Sequence, residues 1–269
     1  GMSAAGPQGF STGVEGGYFL IVDRLYDTLD RRLDVWKELG RRKQQSTEPD
    51  AKLHLKAMML LQLQVGMDLS SALLHLHKLR IIFRDLKPDN VGFDYKGVLK
   101  LFDFGLAKEL DPRQMKSDRT FNMSGATGSR RYMAPEVAQS QPYHLSADVY
   151  SFGILLWEVL SFDRAFWDMS MDQHRKEVIQ QGTSRPRVPL PNAFVPWPSG
   201  VIKLLRECWD ADLTKRPSMK DVYKIMQKEM SLYSREAGLM LPSDMMSSSS
   251  GLSSRDSGVN SNGKRRESL

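Results

Sequence analysis

The longest regular pattern in the chain leads into a short polar stretch near residue 80. Val65, Leu69, Ala72, Leu73, Leu76 and Leu79 recur at intervals of three and four, which lays them along one face and predicts a long helix. Upstream, "YFLIV" at 18–22 is a short apolar, β-branched run that reads as a buried strand. "DRLYDTLDRRLDVWKEL" follows with mixed charge at helical spacing, and "GRRKQQSTEPD" at 40–50 reads as a polar loop. Beyond the long helix, Pro88 and the Asp89–Asn90 pair argue against continued helix. "VGF" at 91–93 and "VLKLF" at 98–102, joined by "DYKG", predict a hairpin. Residues 105–134 are polar and aperiodic, and a loop of that length in a compact domain is usually functional or disordered. Helical spacing returns at 146–160, 199–209 and 218–232, interrupted by the proline-dense "RPRVPLPNAFVPWPSG". The ends carry no such pattern. Residues 1–17, rich in Gly, Ser and Ala, read as a flexible lead-in, and 234–269 as a disordered Ser-rich tail. The expected fold class is α+β, mainly helical with a short β-hairpin, in one domain over 18–233.

Composition narrows the classes of function. At 41% hydrophobic content the 269 residues suffice for a packed core. The formal charge of +6 is mild and partly contributed by the terminal "GKRRES", so no nucleic-acid partner is expected. A single cysteine, Cys208, excludes an internal disulfide framework and fits a reducing compartment; it is expected in the core. The longest apolar run, "FGILLWEVL" at 152–160, contains Glu158 and is too short to span a bilayer. Neither a signal peptide nor a myristoylation motif is visible. The expectation is a soluble, cytoplasmic protein without a membrane partner.

"FRDLKPDN" at 83–90 brings an acid, a lysine and an amide within six positions. Taken alone it reads as a solvated turn, because Asp, Pro and Asn all favour turns. "DFG" at 103–105 is equally weak by itself, but the hairpin between the two stretches would fold both acids to one side. "YMAPE" at 132–136 closes the long loop, and "ADVYSFGILLWE" at 147–158 and "KRPS" at 215–218 follow. His75 and His77 read as helix surface or packing residues, not metal ligands, and "AMML" at 57–60 as core.

This ordered set resembles the C-terminal lobe of eukaryotic protein kinases, which carry a catalytic loop, D-F-G and A-P-E in that order. The resemblance runs from about Tyr18 to Tyr233, and "DVYSFGILLWE" and "CWDADLTKRPS" are most similar to the tyrosine-kinase-like group of Ser/Thr kinases. It implies ATP and Mg²⁺ as cofactors and a protein Ser/Thr hydroxyl as acceptor. Such a transfer requires positioning and charge neutralisation more than covalent help from the protein. Asp85 is expected to accept or orient the hydroxyl proton, Lys87 to set a cation near the transferring phosphate, and Asn90 and Asp103 to offer hard oxygens to the metal. Gly105 is expected to allow a sharp turn beside that ligand. The resemblance makes Val22 the gatekeeper of the ATP site and sets the backbone of Asp23 and Leu25, in the hinge, against adenine. Lys87 in "DLKPDN", together with Ser129 where threonine is common, points to Ser/Thr specificity.

The resemblance also assigns supporting residues. Asp148 is expected to be buried and to tie down the catalytic-loop backbone, and Glu136 and Arg216 to form a buried ion pair. Phe83 stands where the family usually has histidine; its ring can keep the stacking on Phe104. Arg84 is expected to read phosphorylation of the loop by an upstream kinase, with Ser117, Thr120, Ser124 and Thr127 as candidate sites. A kinase also needs an N-terminal lobe with a Gly-rich loop and a V-A-I-K lysine. "GVEGG" at 13–17 does not match that loop, and no lysine precedes Lys37. Apart from its last strand and the hinge, the N-lobe is therefore expected to be absent from these residues. A fragment of an active kinase is the favoured explanation; a truncated pseudokinase scaffold is the alternative, and a second chain supplying the lobe ranks last. Phosphotransfer by the residues given is expected to be weak or absent.

Overall fold

The computed structural model describes residues 24–188 and 193–240. The lead-in at 1–17, the strand at 18–22, Val22, Asp23 and the tail beyond residue 240 lie outside the described residues. Strand β1 (Asp27–Thr28) leads into α1 (Leu29–Gln45), and α2 (Ala51–Lys78) is the long helix anticipated from its period. Short strands follow: β2 (Ile81–Ile82), β3 (Val91–Phe93), β4 (Leu99–Leu101) and β5 (Lys108–Glu109). The rest is helical: α3 (Pro135–Ala138), α4 (Ser146–Ser161), α5 (Met171–Gln173) running into a π-turn at His174–Gln180, α6 (Ser199–Cys208) and α7 (Met219–Ala237). This is the mainly helical α+β lobe with a short hairpin that the sequence led us to expect.

Buried side chains explain the arrangement. In α4 every residue from Ser146 to Leu160 is buried, so this helix is the axis of the lobe. α2 lies against it and against α7. Gln62, buried in α2, donates to Val159 O at 2.6 Å and Leu160 O at 3.2 Å, which satisfies carbonyls left open at the end of α4. Within the apolar stripe of α2, Val65, Leu69, Leu73 and Leu76 are buried, while Leu79 caps the helix and is exposed. One expectation needs correction: α2 is long and apolar enough to cross a membrane by length and composition, though it is a core helix here.

Other differences lie at boundaries. α1 continues to Gln45, six residues into the expected loop, because its end is rich in good helix formers and Glu38 pairs with both Arg41 and Arg42. α7 continues to Ala237, where Gly238 ends it at φ 68°, so Ser234 and its neighbours are helical and not tail. Two small sheets hold the functional loops. β3 pairs antiparallel with β4 in the register Val91–Leu101, Gly92–Lys100 and Phe93–Leu99, and with β1 on its other edge. β2 pairs antiparallel with β5.

Candidate active site

The stretch 83–90 links β2 to β3, and Arg84 enters it with a left-handed φ of 68°. A non-glycine residue holds that conformation only where its surroundings fix it. Asp148, fully buried in the first turn of α4, supplies the constraint. Its Oδ2 accepts from Phe83 N at 2.8 Å and its Oδ1 from Arg84 N at 2.9 Å. His77 Nε2 lies 2.9 Å from the same Oδ2, so His77 is a partner of this anchor and more than a packing residue. Phe83 is fully buried and meets Phe104 edge-on, with ring centroids 5.2 Å apart, which is the contact expected for an aromatic at that position.

Asp85 is held from three sides. Ser129 N donates to its Oδ1 at 2.8 Å, and Lys87 Nζ and Asn90 Nδ2 approach its Oδ2 at 3.0 and 2.9 Å. Lys87 Nζ also donates to Ser129 Oγ at 3.1 Å. Burial of Asp85 opposes ionisation, but the contacts from Ser129 and Lys87 outweigh it and hold the carboxyl below the usual range. Gly128 makes this closure possible. Its φ is 100°, and a Cβ there would fall 2.2 Å from Arg84 O. Gly128 stands in no motif of its own; its only signal in the sequence is its place directly before Ser129.

Asn90 and Asp103 are brought together by the hairpin, since Phe102 N donates to Asn90 O at 3.1 Å. Asn90 uses its Nδ2 for Asp85, leaving its side-chain oxygen Oδ1 without a hydrogen-bond partner among the described residues. Asp103 is exposed, and its Oδ1 accepts only from Gly105 N, at 3.3 Å. The sharp turn belongs to Asp103 itself, with φ 59°, not to Gly105 as expected. Glycine at 105 instead limits crowding, because a Cβ there would lie 3.2 Å from Asp103 Oδ1. One charged and one neutral oxygen fit Mg²⁺, which takes few protein ligands and completes its shell with phosphate and water. No cluster of three or more His, Cys, Asp or Glu able to hold a metal occurs among the described residues.

The long loop is tied down at several points. Arg84 Nη1 donates to Ser124 Oγ at 3.0 Å and to the Tyr143 hydroxyl at 3.4 Å, and Tyr143 OH donates to Ser124 O at 2.9 Å. Of the other loop hydroxyls, Thr127 donates to Ser124 Oγ, Thr120 is buried on Asp118, and Ser117 is exposed. At the end of the loop, Glu136 and Arg216 form a buried two-pronged pair, Nη1–Oε1 2.6 Å and Nη2–Oε2 2.9 Å. Tyr132 OH donates to the buried Glu158 at 2.8 Å, and burial raises the carboxyl of Glu158 above its ordinary value. Leu25, expected at the hinge, packs its side chain over Gly92 of β3, where a Cβ would meet it at 2.6 Å.

Comparison with known proteins agrees with this geometry. The protein kinase domain family matches residues 55–227. Serine/threonine-protein kinase STY46 of Arabidopsis thaliana is 35% identical over 165 residues, which cover 61% of this chain and 26% of that protein. Mitogen-activated protein kinase kinase kinase 12 of Rattus norvegicus is 38% identical over 149 residues, covering 55% and 15%. Putative mitogen-activated protein kinase kinase kinase 7-like of Drosophila melanogaster is 32% identical over 163 residues, covering 60% and 39%. The matched segment thus spans well under half the length of each of these relatives. The helical lobe, the order of its motifs and the family match together establish that this chain belongs to the protein kinase domain family.

Proposed function

We propose that these residues form the catalytic lobe of a cytoplasmic serine/threonine protein kinase, which transfers the γ-phosphate of ATP to a protein hydroxyl. The observation that carries the reading is the grip on Asp85: an ionised carboxylate fixed by Ser129 N, Lys87 Nζ and Asn90 Nδ2, with Asn90 in turn bonded through its backbone oxygen to Phe102 N, next in sequence to a second acid, Asp103. Asp85 accepts or orients the proton of the incoming hydroxyl, and Lys87 sets a positive charge beside it. Asn90 and Asp103 would hold Mg²⁺, which would supply neutralisation of the charge on the transferring group. Ser129, bonded to Lys87, would line the acceptor side and favour Ser or Thr. The family resemblance assigns Leu25 to the adenine side of the cleft; Val22 and Asp23, assigned there by the same resemblance, lie outside the described residues. A buried thiol at the single cysteine, with its pKa pushed up by burial, suits a reducing compartment.

Phosphoamino-acid analysis tests the acceptor class. The lobe, joined to an N-terminal segment that supplies a Gly-rich loop and strand lysine, is incubated with labelled ATP, Mg²⁺ and a basic protein containing Ser, Thr and Tyr. Phosphoserine or phosphothreonine is expected; label confined to tyrosine, or none, contradicts the reading.

We also propose that an upstream kinase switches the loop through Ser124. It is the loop hydroxyl that touches Arg84, and a phosphate there would add about −1.5 to −2 charge beside that guanidinium. Thr120 and Thr127 are already engaged with loop partners, and Ser117 has no contact with Arg84 among the described residues. Mass spectrometry of maximally active protein is expected to find phosphate on Ser124, and Arg84→Ala to remove its effect on rate. Full activity with Ser124 unmodified contradicts the switch.

A further inference from the structure

The end of α2, the start of α4, the 213–218 loop and the start of α7 line a groove of about 1070 Å³ that Asp85, Asn90 and Asp103 do not line. That is slightly above the usual range of small-molecule pockets, about 300–1,000 Å³, and leaves room for a larger ligand. Its floor is apolar, with Leu74, Val149, Leu213 and Tyr223 among its lining residues. Its rim is cationic. Lys78 ends α2, Arg119 comes from the long loop at a left-handed φ of 64°, and Lys220 and Lys224 stand one turn apart on α7. All four are exposed, and none takes part in a salt bridge among the described residues. The one acid in the lining, Asp118, already accepts from Thr120 N and Thr120 Oγ1.

We propose that this groove docks an acidic segment of a partner protein, with carboxylates on the four cations and apolar side chains on the floor. Charge complementarity argues for a peptide over a small anion. The cations come from three separate elements around an apolar floor, which suits an extended chain with alternating acidic and apolar residues better than one small anion. The groove is also wired to the catalytic loop. His77 lines it and bonds Asp148, the residue that holds Phe83 N and Arg84 N. Arg216 lines it as well and pairs with Glu136. A bound segment therefore touches the supports of the site without entering it, and by linkage any change it makes in nucleotide affinity is returned in its own affinity.

Fluorescence anisotropy on the 269-residue chain tests this, with a labelled eight-residue peptide of alternating Glu and Leu as the probe. Binding should weaken as salt rises and fall at least tenfold in Lys220→Glu/Lys224→Glu. Lys78→Glu, on a different helix, should weaken it too, and Lys220→Arg/Lys224→Arg should retain it, with matched thermal melts guarding against misfolding. Three results would overturn the proposal: equal binding of an alternating Lys and Leu peptide, equal binding of an alternating Glu and Ser peptide, or unchanged affinity in both charge-reversal variants. Binding of oleate without any binding of the peptide would also overturn it, by marking a small-amphiphile site. None of these readouts depends on phosphotransfer, so failure here leaves the proposed catalytic function standing.

Discussion

Arg216→Ala is expected to cost the lobe about 3–5 kcal/mol, because it strands the Glu136 carboxylate inside the protein. Both members of the pair are buried, at 6% and 4% exposure, so water cannot replace the lost partner. The guanidinium does more than neutralise Glu136. It donates to Ser146 O at 3.2 Å and through Nε to Asp210 O at 2.9 Å, and it lies 5.1 Å from the centre of the Tyr150 ring. Its loss therefore loosens the end of the long loop, the start of α4 and the turn before α7 together. Urea denaturation followed by circular dichroism measures the effect. Glu136→Leu/Arg216→Met should recover much of it, since two apolar side chains leave no unpaired charge. A loss under about 1 kcal/mol in Arg216→Ala, against the range for such pairs, would mean that the pair does not lock the loop.

How much of this was legible in the sequence depends on how local the information is. The elements that hold the chemistry are contiguous stretches whose turn-forming residues break the surrounding periodicity, so 83–90, 91–101 and 103–105 could be placed before any coordinates. The long helices were visible for the same reason in reverse, since their apolar residues recur over many turns. β1, β2 and β5 were not visible: each is two residues long, and two residues carry no period. The short helix α3 and the π-turn at 174–180 were lost inside stretches with little pattern. At the site, the anchor on Asp148 was expected, but its contact with His77 joins residues 71 apart in sequence and depends on how α2 and α4 pack. Gly105 was credited with a turn that Asp103 makes. Glycine is the usual guess for a left-handed residue, yet here the aspartate carboxylate accepts from a backbone N–H two residues on and stabilises the turn itself.

The second large effect is expected at Asp85. Asp85→Asn keeps the size of the side chain and removes its charge, so it should keep nucleotide binding and lose the chemical step. Positioned acid–base groups contribute about 10²–10⁴ in rate, and a loss in that range is predicted. The carboxyl is held below its ordinary range, despite burial, by Ser129 and Lys87. Because its pKa is depressed, the ionised form and the stability from its contacts are present above the unfolded value. Both are lost only as pH falls through the lower folded value. The rate should therefore show no acid limb from this group between pH 5 and 8.

Single-turnover transfer of labelled γ-phosphate to a serine peptide, with nucleotide affinity measured on the same protein, tests the central claim most directly. The protein used is the lobe joined to a segment that supplies a Gly-rich loop and strand lysine. The account predicts a fall of about 10²–10⁴ in the transfer rate of Asp85→Asn with little change in nucleotide affinity. Transfer at the wild-type rate in Asp85→Asn would contradict it, and "FRDLKPDN" would then be the solvated turn its composition first suggested.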